Sequence, residues 1–385
     1  MPSGGGRALA GFLLSGLLMA LLGAILPAWG YHRDPPDFVA VGNYFLSLAV
    51  GLVAATLFAR RLLERRGVGF LLVLACVAAV VSLSYLGLVG PPRLSAWRAV
   101  GMLVLGMSAG MLNAGLFYAI SPSYTADAAG TVSRGGFWYG LGCLAATLLV
   151  EGAFYAPTGI ILWLMAGFPV VFGILYVRRP PGVPPPIQRP TVREALQDFR
   201  SLGAILFALL LFFQFGNEWS IAGWLPIFLC HRVSVSPQEA LFTLALYWFC
   251  LMTGRLGAIA LLPRVRHRHL LFGSLPAALF GMLVLYYTPN LFGAITGVVF
   301  LGAGYASIYP LVAEAIGRRF PYYHPGFFNS IFSLALLGGL LAPATLGYLA
   351  SILGVDVVIG IPLFGTFVVI ALLLLIWLES KVTGR

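Results

Sequence analysis

Charge is what this chain has least of. Only 9% of its 385 residues are Asp, Glu, Lys or Arg, and 60% are apolar, whereas ordinary soluble domains are about 25% charged. A soluble fold of this size cannot cover so much apolar surface, because a globular surface needs substantial polar cover. Disordered chains, secreted disulfide scaffolds and cytosolic enzymes are therefore excluded. Cysteine is also scarce. Cys76, Cys143, Cys230 and Cys250 form no CxxC pair and read as small apolar packing residues. Enzyme signatures are missing: there is no Walker loop, no HExxH and no intramembrane histidine pair. His267 and His269 sit among arginines, and the glycines of Gly302–Ser307 follow no strand, so neither points to a metal or a nucleotide. No cofactor and no catalytic residue are expected.

What is present is apolar runs. A bilayer core of about 30 Å needs about 20 apolar residues per helix. Twelve stretches qualify: 8–30, 38–59, 68–90, 98–120, 135–153, 157–177, 201–229, 240–262, 269–287, 291–316, 326–352 and 357–378. The first is too long for a signal-peptide core and lacks an A-x-A site, so it counts as a span. Continuous runs without ten-residue alternation exclude a β-barrel. The net charge of +11 then sorts by loop. With the N-terminus inside, eighteen basic residues fall on the inner segments and four (Arg33, Arg93, Arg98 and Arg232) on the outer ones. That asymmetry places both termini in the cytoplasm. Topology accounts for the basic excess, and no nucleic-acid partner is needed. The expected location is the cytoplasmic (inner) membrane, and the lipid bilayer is the first partner.

Residues 178–200 interrupt the apolar pattern. Their proline-rich start favours an extended chain, and Thr191 with Glu194 is a capping-box signature opening a short amphipathic helix. This cytoplasmic linker divides an N-terminal bundle, 1–177, from a C-terminal bundle, 201–385. The two resemble each other. Gly101 and Gly106 of span 4 recur as Gly297 and Gly302 of span 10, and Gly136-Phe137-Trp138 opens span 5 as Gly326-Phe327-Phe328 opens span 11. Gly51 and Gly254 likewise precede basic loops after spans 2 and 8. The expected fold is all-α and integral to the membrane: twelve transmembrane helices in two pseudo-symmetric bundles of six. Such a duplication puts a binding site near the midplane, between the halves.

The few intramembrane polar residues mark that site, since each is costly in lipid and faces a bundle interior or wet cavity. They fall in spans 2, 4, 5, 7, 8, 10 and 11; spans 3, 6, 9 and 12 carry no ionisable residue between their ends and should face lipid. Glu218, in the middle of span 7, is the sharpest feature: it reads either as a proton-coupling or substrate-binding acid, or as a carboxylate that holds neighbouring helices. Asn113 (span 4), Gln214 and Asn217 (span 7) and Asn329 (span 11) can supply both donors and acceptors to hydroxyl pairs. Trp219 and Trp248, with Trp224 and Tyr247 nearby, suit stacking on a sugar ring as well as ordinary packing. Tyr305 and Tyr309 of span 10 carry hydroxyls that need partners when buried. Arg255 and Glu314 read as pairing or gating residues near the inner side.

On these motifs the chain resembles the major facilitator superfamily. LFARRLLERRGVG after span 2 is similar to that family's basic-glycine loop, without its usual aspartate, and implies a gating role for Arg60. Within the family, GNEWSIAGWL (Gly216–Leu225), YWFCLMTGRL (Tyr247–Leu256) and GGLLAP (Gly338–Pro343) resemble the fucose permease branch. The resemblance implies a rocker-switch cycle, small polar substrates such as sugars taken up with protons, and a monomeric carrier. The branch also uses an acid in span 1 and another in span 4. Here span 1 has none and span 4 offers Asn113, which leaves uniport or coupling through Glu218. The reading is a secondary or facilitative transporter of a small polar, sugar-like solute. Its alternatives are an exporter of amphipathic drug-like compounds and a transport-inactive receptor or scaffold. Span 5 has no proline of the kind typical of drug/proton antiporters, which counts against the exporter.

Overall fold

The structure, a computed structural model, describes residues 3–91, 93–182, 201–320 and 330–383. Among these residues every regular element is helical: α1 Ser3–Ala28, α2 Phe38–Leu88, α3 Ser95–Ala119, α4 Ser121–Ala126, α5 Ala128–Glu151, α6 Thr158–Arg178, α7 Leu202–Phe228, α8 Pro237–Leu261, α9 His267–Tyr287, α10 Leu291–Arg319, α11 Ser330–Leu353 and α12 Val357–Thr383. Eleven of them are long and apolar enough to cross a membrane. The short amphipathic helix expected near 191–200 lies outside the described residues.

α2 has 51 residues, which would stretch about 77 Å if straight, well over twice the bilayer core. It bends back instead. Gly106 and Gly110 of α3 pack on Leu48 and Leu52 of its first limb, while Ser108 donates to the Ala75 carbonyl at 2.7 Å in its second limb. Both limbs thus lie side by side along α3. The reversal is at Gly67, whose φ of 81° suits glycine because a Cβ there would be strained. α2 therefore supplies spans 2 and 3, α3 is span 4, and α5 to α12 are spans 5 to 12. A loop was expected over 60–67, but helix runs through it. Leucine, arginine and glutamate are good helix formers, and Arg60 pairs with Glu64 one turn on at 3.3 Å.

The duplicated glycines pack alike in the two halves. Gly106 meets the Leu48 backbone of α2, and Gly302 meets the Tyr247 backbone of α8. Gly101 rests on Leu86 and Gly297 on Leu285. Glycine at such points lets helices approach to backbone contact. Large apolar side chains are exposed along the second limb of α2 (Val77, Val81), α6 (Leu164, Val171), α9 (Phe280) and α12 (Phe364, Phe367). These are the four spans without an Asp, Glu, Lys or Arg between their ends, and exposed apolar side chains also stud α8 (Phe242, Phe249), α10 (Phe292, Phe300) and α11 (Leu337, Leu341).

The halves meet where α5 packs on α8 and α10, α2 on α11, and α1 on α7. Two faces of the bundle differ. The face bearing residues 29–37 and 229–236 is sealed: Gly42 lies against Ala344 and Gly347, and Gly23 against Ala222 and Gly223. Phe45 stacks on Trp224 at 5.9 Å, and the Tyr348 hydroxyl donates to Asn43 at 2.6 Å. His231 completes this seal, 3.4 Å from the Tyr31 carbonyl. Arg98 pins the same face from within the first half. It donates to the hydroxyls of Tyr44 at 2.8 Å and Tyr31 at 3.0 Å and lies over the Trp29 ring. The other face, which carries both ends of the described chain and the Gly67 turn, is called the terminal face below.

Candidate functional site

A cavity of about 220 Å³ lies between the halves, in the part of the bundle nearer the terminal face. At about 30 Å³ per water, that is room for about seven waters or one small solute. α1, α2, α3 and α5 line it from one half, and α7, α8, α10 and α11 from the other. A third of its lining residues are aromatic: Phe12, Phe117, Tyr139, Phe215, Trp219, Tyr309 and Phe332. Tyr309 is held edge-on by Phe215 at 4.9 Å and Phe332 at 6.4 Å.

Its two charged groups pair with each other. Arg255 Nη2 lies 3.2 Å from Glu218 Oε1, and both side chains are 6% exposed. Arg255 also donates from Nη1 to the Gly136 carbonyl at 3.0 Å, across the boundary between halves. Gly136 makes this reach possible, since a Cβ there would stand 2.7 Å from Nη1. Arg255 Nε is buried without a partner. On the opposite wall Asn113 accepts from the Ser15 hydroxyl at 2.6 Å, which leaves its amide N–H groups for the cavity.

A second cavity of about 30 Å³, the share of one water, lies between the first and the sealed face. Tyr139 and Trp219 line both and so partition them. Trp248 lines only the smaller one, edge-on to Tyr139 at 6.3 Å, and its Nε1 has no partner.

The expected site residues thus divide. Asn113, Glu218, Trp219, Arg255 and Tyr309 come together in the main cavity, and Trp248 lines the one behind it. Gln214, Asn217 and Tyr305 do not reach either. Gln214 is wholly buried with neither amide atom partnered. In the orientation that satisfies both its amide atoms, Asn217 donates to the Phe213 carbonyl at 3.3 Å and accepts from the Thr366 N–H at 3.1 Å. The Tyr305 hydroxyl lies 3.2 Å from Thr366 Oγ1, so both residues tie their own half to α12. The reason is helical register. Phe215, Glu218 and Trp219 share one face of α7, and Gln214 and Asn217 lie about 90° and about 150° round from it. Arg60 pairs with Glu64 on the surface, each half-exposed, and lies outside both cavities. Glu314 pairs with Arg318 and with His267 at 3.3 Å, all within the second half. Asn329 lies outside the described residues. Tyr139, Phe215 and Ser15 were not singled out in the sequence, although Tyr139 directly follows Gly136-Phe137-Trp138, a motif read there only as a repeat marker.

No protein-family model matches the chain. It is 23% identical over 355 residues to an uncharacterised MFS-type transporter of Yersinia pestis, covering 91% of this chain and 89% of that one. Among solved structures it is similar to FucP, a major facilitator superfamily transporter crystallised in its outward conformation. There the TM-score is 0.69 with 13% identity, over 96% of this chain and 98% of that one. At that identity the structural likeness speaks for the fold alone. The chain has the major facilitator fold, and over nearly its whole length it resembles a transporter of that superfamily, FucP among them.

Proposed function

We propose that the protein is a secondary transporter that moves a small polar solute by rocking residues 1–177 against 201–385. The observation that carries this is the Glu218–Arg255 pair, which lies in the cavity between the halves and reaches across to Gly136. Intramembrane ionisable groups facing a cavity mark a substrate or proton path. A monosaccharide is the substrate class: the amide of Asn113 suits a hydroxyl pair, and Trp219 and Tyr309 offer ring faces. Glu218 is the proton-coupling carboxylate, and the resemblance of its span 7 motif, Gly216–Leu225, to the fucose permease branch supports symport. The protein works as a monomer in the inner membrane with both termini cytoplasmic, and the cavity on the terminal side is then its inward-facing state.

The test is uptake by proteoliposomes across a panel of sugars, with and without an imposed pH gradient. Accumulation of a sugar driven by the gradient, and lost in Glu218→Gln, is the expected result. Unchanged sugar binding and unchanged pH-dependent uptake in that variant would refute the role of Glu218. The aromatic lining also favours a second reading, export of amphipathic compounds. Thermal stabilisation by lipophilic cations but not by hexoses would replace the first reading with it. Binding of a hexose without counterflow would instead make the protein a receptor.

A further inference from the structure

The Glu218–Arg255 pair limits what such a carrier can hold, because a charge left alone in a water-excluded site is expensive. This argument rests on the reading of the main cavity as the transport site. When the cavity is empty, carboxylate and guanidinium cancel. A neutral sugar bound together with a proton on Glu218 would leave Arg255 as a lone cation in a site where its side chain is 6% exposed, so coupling through Glu218 narrows the monosaccharide class to members that carry a negative charge. An anion bound without a proton would leave one negative charge. Two loaded states remain balanced: a neutral solute with the pair intact, and an anion with Glu218 protonated.

Arg255 decides between them. A guanidinium has five N–H donors, and here it makes two hydrogen bonds, one from Nη1 and one from Nη2. Nε and Nη2 form one edge of the planar fork, the edge that grips a carboxylate through two parallel bonds. Glu218 takes only the Nη2 half of that edge, and Nε is buried with nothing to bond. The other titratable groups facing the pair are Tyr139 and Cys143 of α5, Tyr247 of α8, and Tyr305 and Tyr309 of α10. None is a carboxylate, so Glu218 is the proton's receiver.

We infer that the substrate is a hydroxylated organic monoanion of the sugar-acid type, whose carboxylate replaces Glu218 on the Nε and Nη2 edge of Arg255. A proton adds to the Glu218 carboxylate, the Nη2 contact to Oε1 breaks, and the substrate carboxylate takes both donors. No group is oxidised or reduced. One proton and one anion enter together, and the site is neutral both empty and full. The hydroxylated body meets Asn113 and the ring faces of Trp219 and Tyr309.

The experiment uses the full chain, with D-glucuronate and D-glucose as probes in thermal-shift binding and in proteoliposome counterflow, at acidic and neutral pH. Glucuronate affinity should be highest in acid and fall by about tenfold per pH unit above the titration of Glu218. Glu218→Gln should bind glucuronate with no pH dependence, and Arg255→Gln should weaken it by about 30-fold or more. The double variant E218Q/R255Q carries no unpaired charge and keeps the fold measurable, and it should lose all preference for the anion. Counterflow of glucose but not glucuronate would overturn this inference and leave the transport reading standing. Glucuronate bound in this pattern but not exchanged would remove the transport reading and, with it, the inference that the anion is a substrate. Failure of both probes to bind would overturn it, and so would glucuronate binding that is indifferent to Arg255→Gln.

Discussion

Replacing Gly347 by alanine tests whether the seal is one of two alternating states. A Cβ at Gly347 would stand 2.5 Å from Gly42 Cα and 2.7 Å from both Gly42 N and the Phe38 carbonyl oxygen. Ordinary contact begins near 3.4 Å, so α2 and α11 must part by roughly 1 Å, and the obstacle is backbone that cannot rotate away. Overpacking of this kind costs about 1–3 kcal/mol. The clash exists only while the two helices touch, so it penalises the sealed state and spares the state opened at that face. The equilibrium should then shift toward the opened state by about 5- to 150-fold. The assay is labelling by a membrane-impermeant maleimide of Ala222→Cys, which is half-buried and lines the small cavity next to the sealed face, after replacement of the four native cysteines. The rate should rise by that factor in Gly347→Ala. Gly42→Ala should give a smaller rise, because its Cβ meets Ala344 O at 2.9 Å and Gly347 Cα at 3.2 Å. Gly257→Ala, with nothing within 4 Å, should give none. A folded Gly347→Ala protein that labels at the parent rate would refute the reasoning.

Glu218→Ala strands the buried Arg255 charge and should destabilise the detergent-solubilised protein by about 3–5 kcal/mol, whereas Arg60→Ala should change thermal unfolding by less than about 0.5 kcal/mol. Equal effects would mean that the surface and cavity pairs are misassigned. Gln214→Met removes a wholly buried amide with no partner, and should raise stability by about 1–3 kcal/mol without altering substrate affinity; weaker binding would return Gln214 to the site. Burial holds the His32 imidazole below its ordinary value of 6.5. Its contribution is therefore present above pH 6.5 and lost as pH falls through the depressed value. His32→Gln should flatten the acid side of the melting-temperature profile, and an unchanged profile would exclude His32 as a source of acid sensitivity.

Much of the architecture was readable from the sequence because its signals are local. Runs of apolar residues fix the spans, and the paired glycines of α3 and α10 expose the duplication through the backbone contacts they make. The site was harder. α7 is apolar on nearly every side, so no stripe tells which of Gln214, Asn217 and Glu218 faces inward, and only packing against α12 turns Asn217 away. Arg98 counted as an outer loop charge, yet tyrosines and a tryptophan scattered over residues 29–44 bury it. The Gly42–Gly347 approach joins residues about three hundred positions apart, and no local pattern announces it. At Arg60 a motif suggests a gate, and the structure shows an exposed ion pair on a helix that continues to Gly67.

That continuous helix also bears on how the chain enters the membrane. One residue, Gly67, separates the two limbs of α2, and four arginines (Arg60, Arg61, Arg65 and Arg66) lie just before it. Limbs so closely joined cannot be handed to lipid one at a time as independent segments. With the termini cytoplasmic as proposed, they should insert as a helical hairpin whose basic tip stays on the side of synthesis. A bulkier residue at position 67 should therefore lower the amount of correctly inserted protein before any effect on its transport rate could be measured.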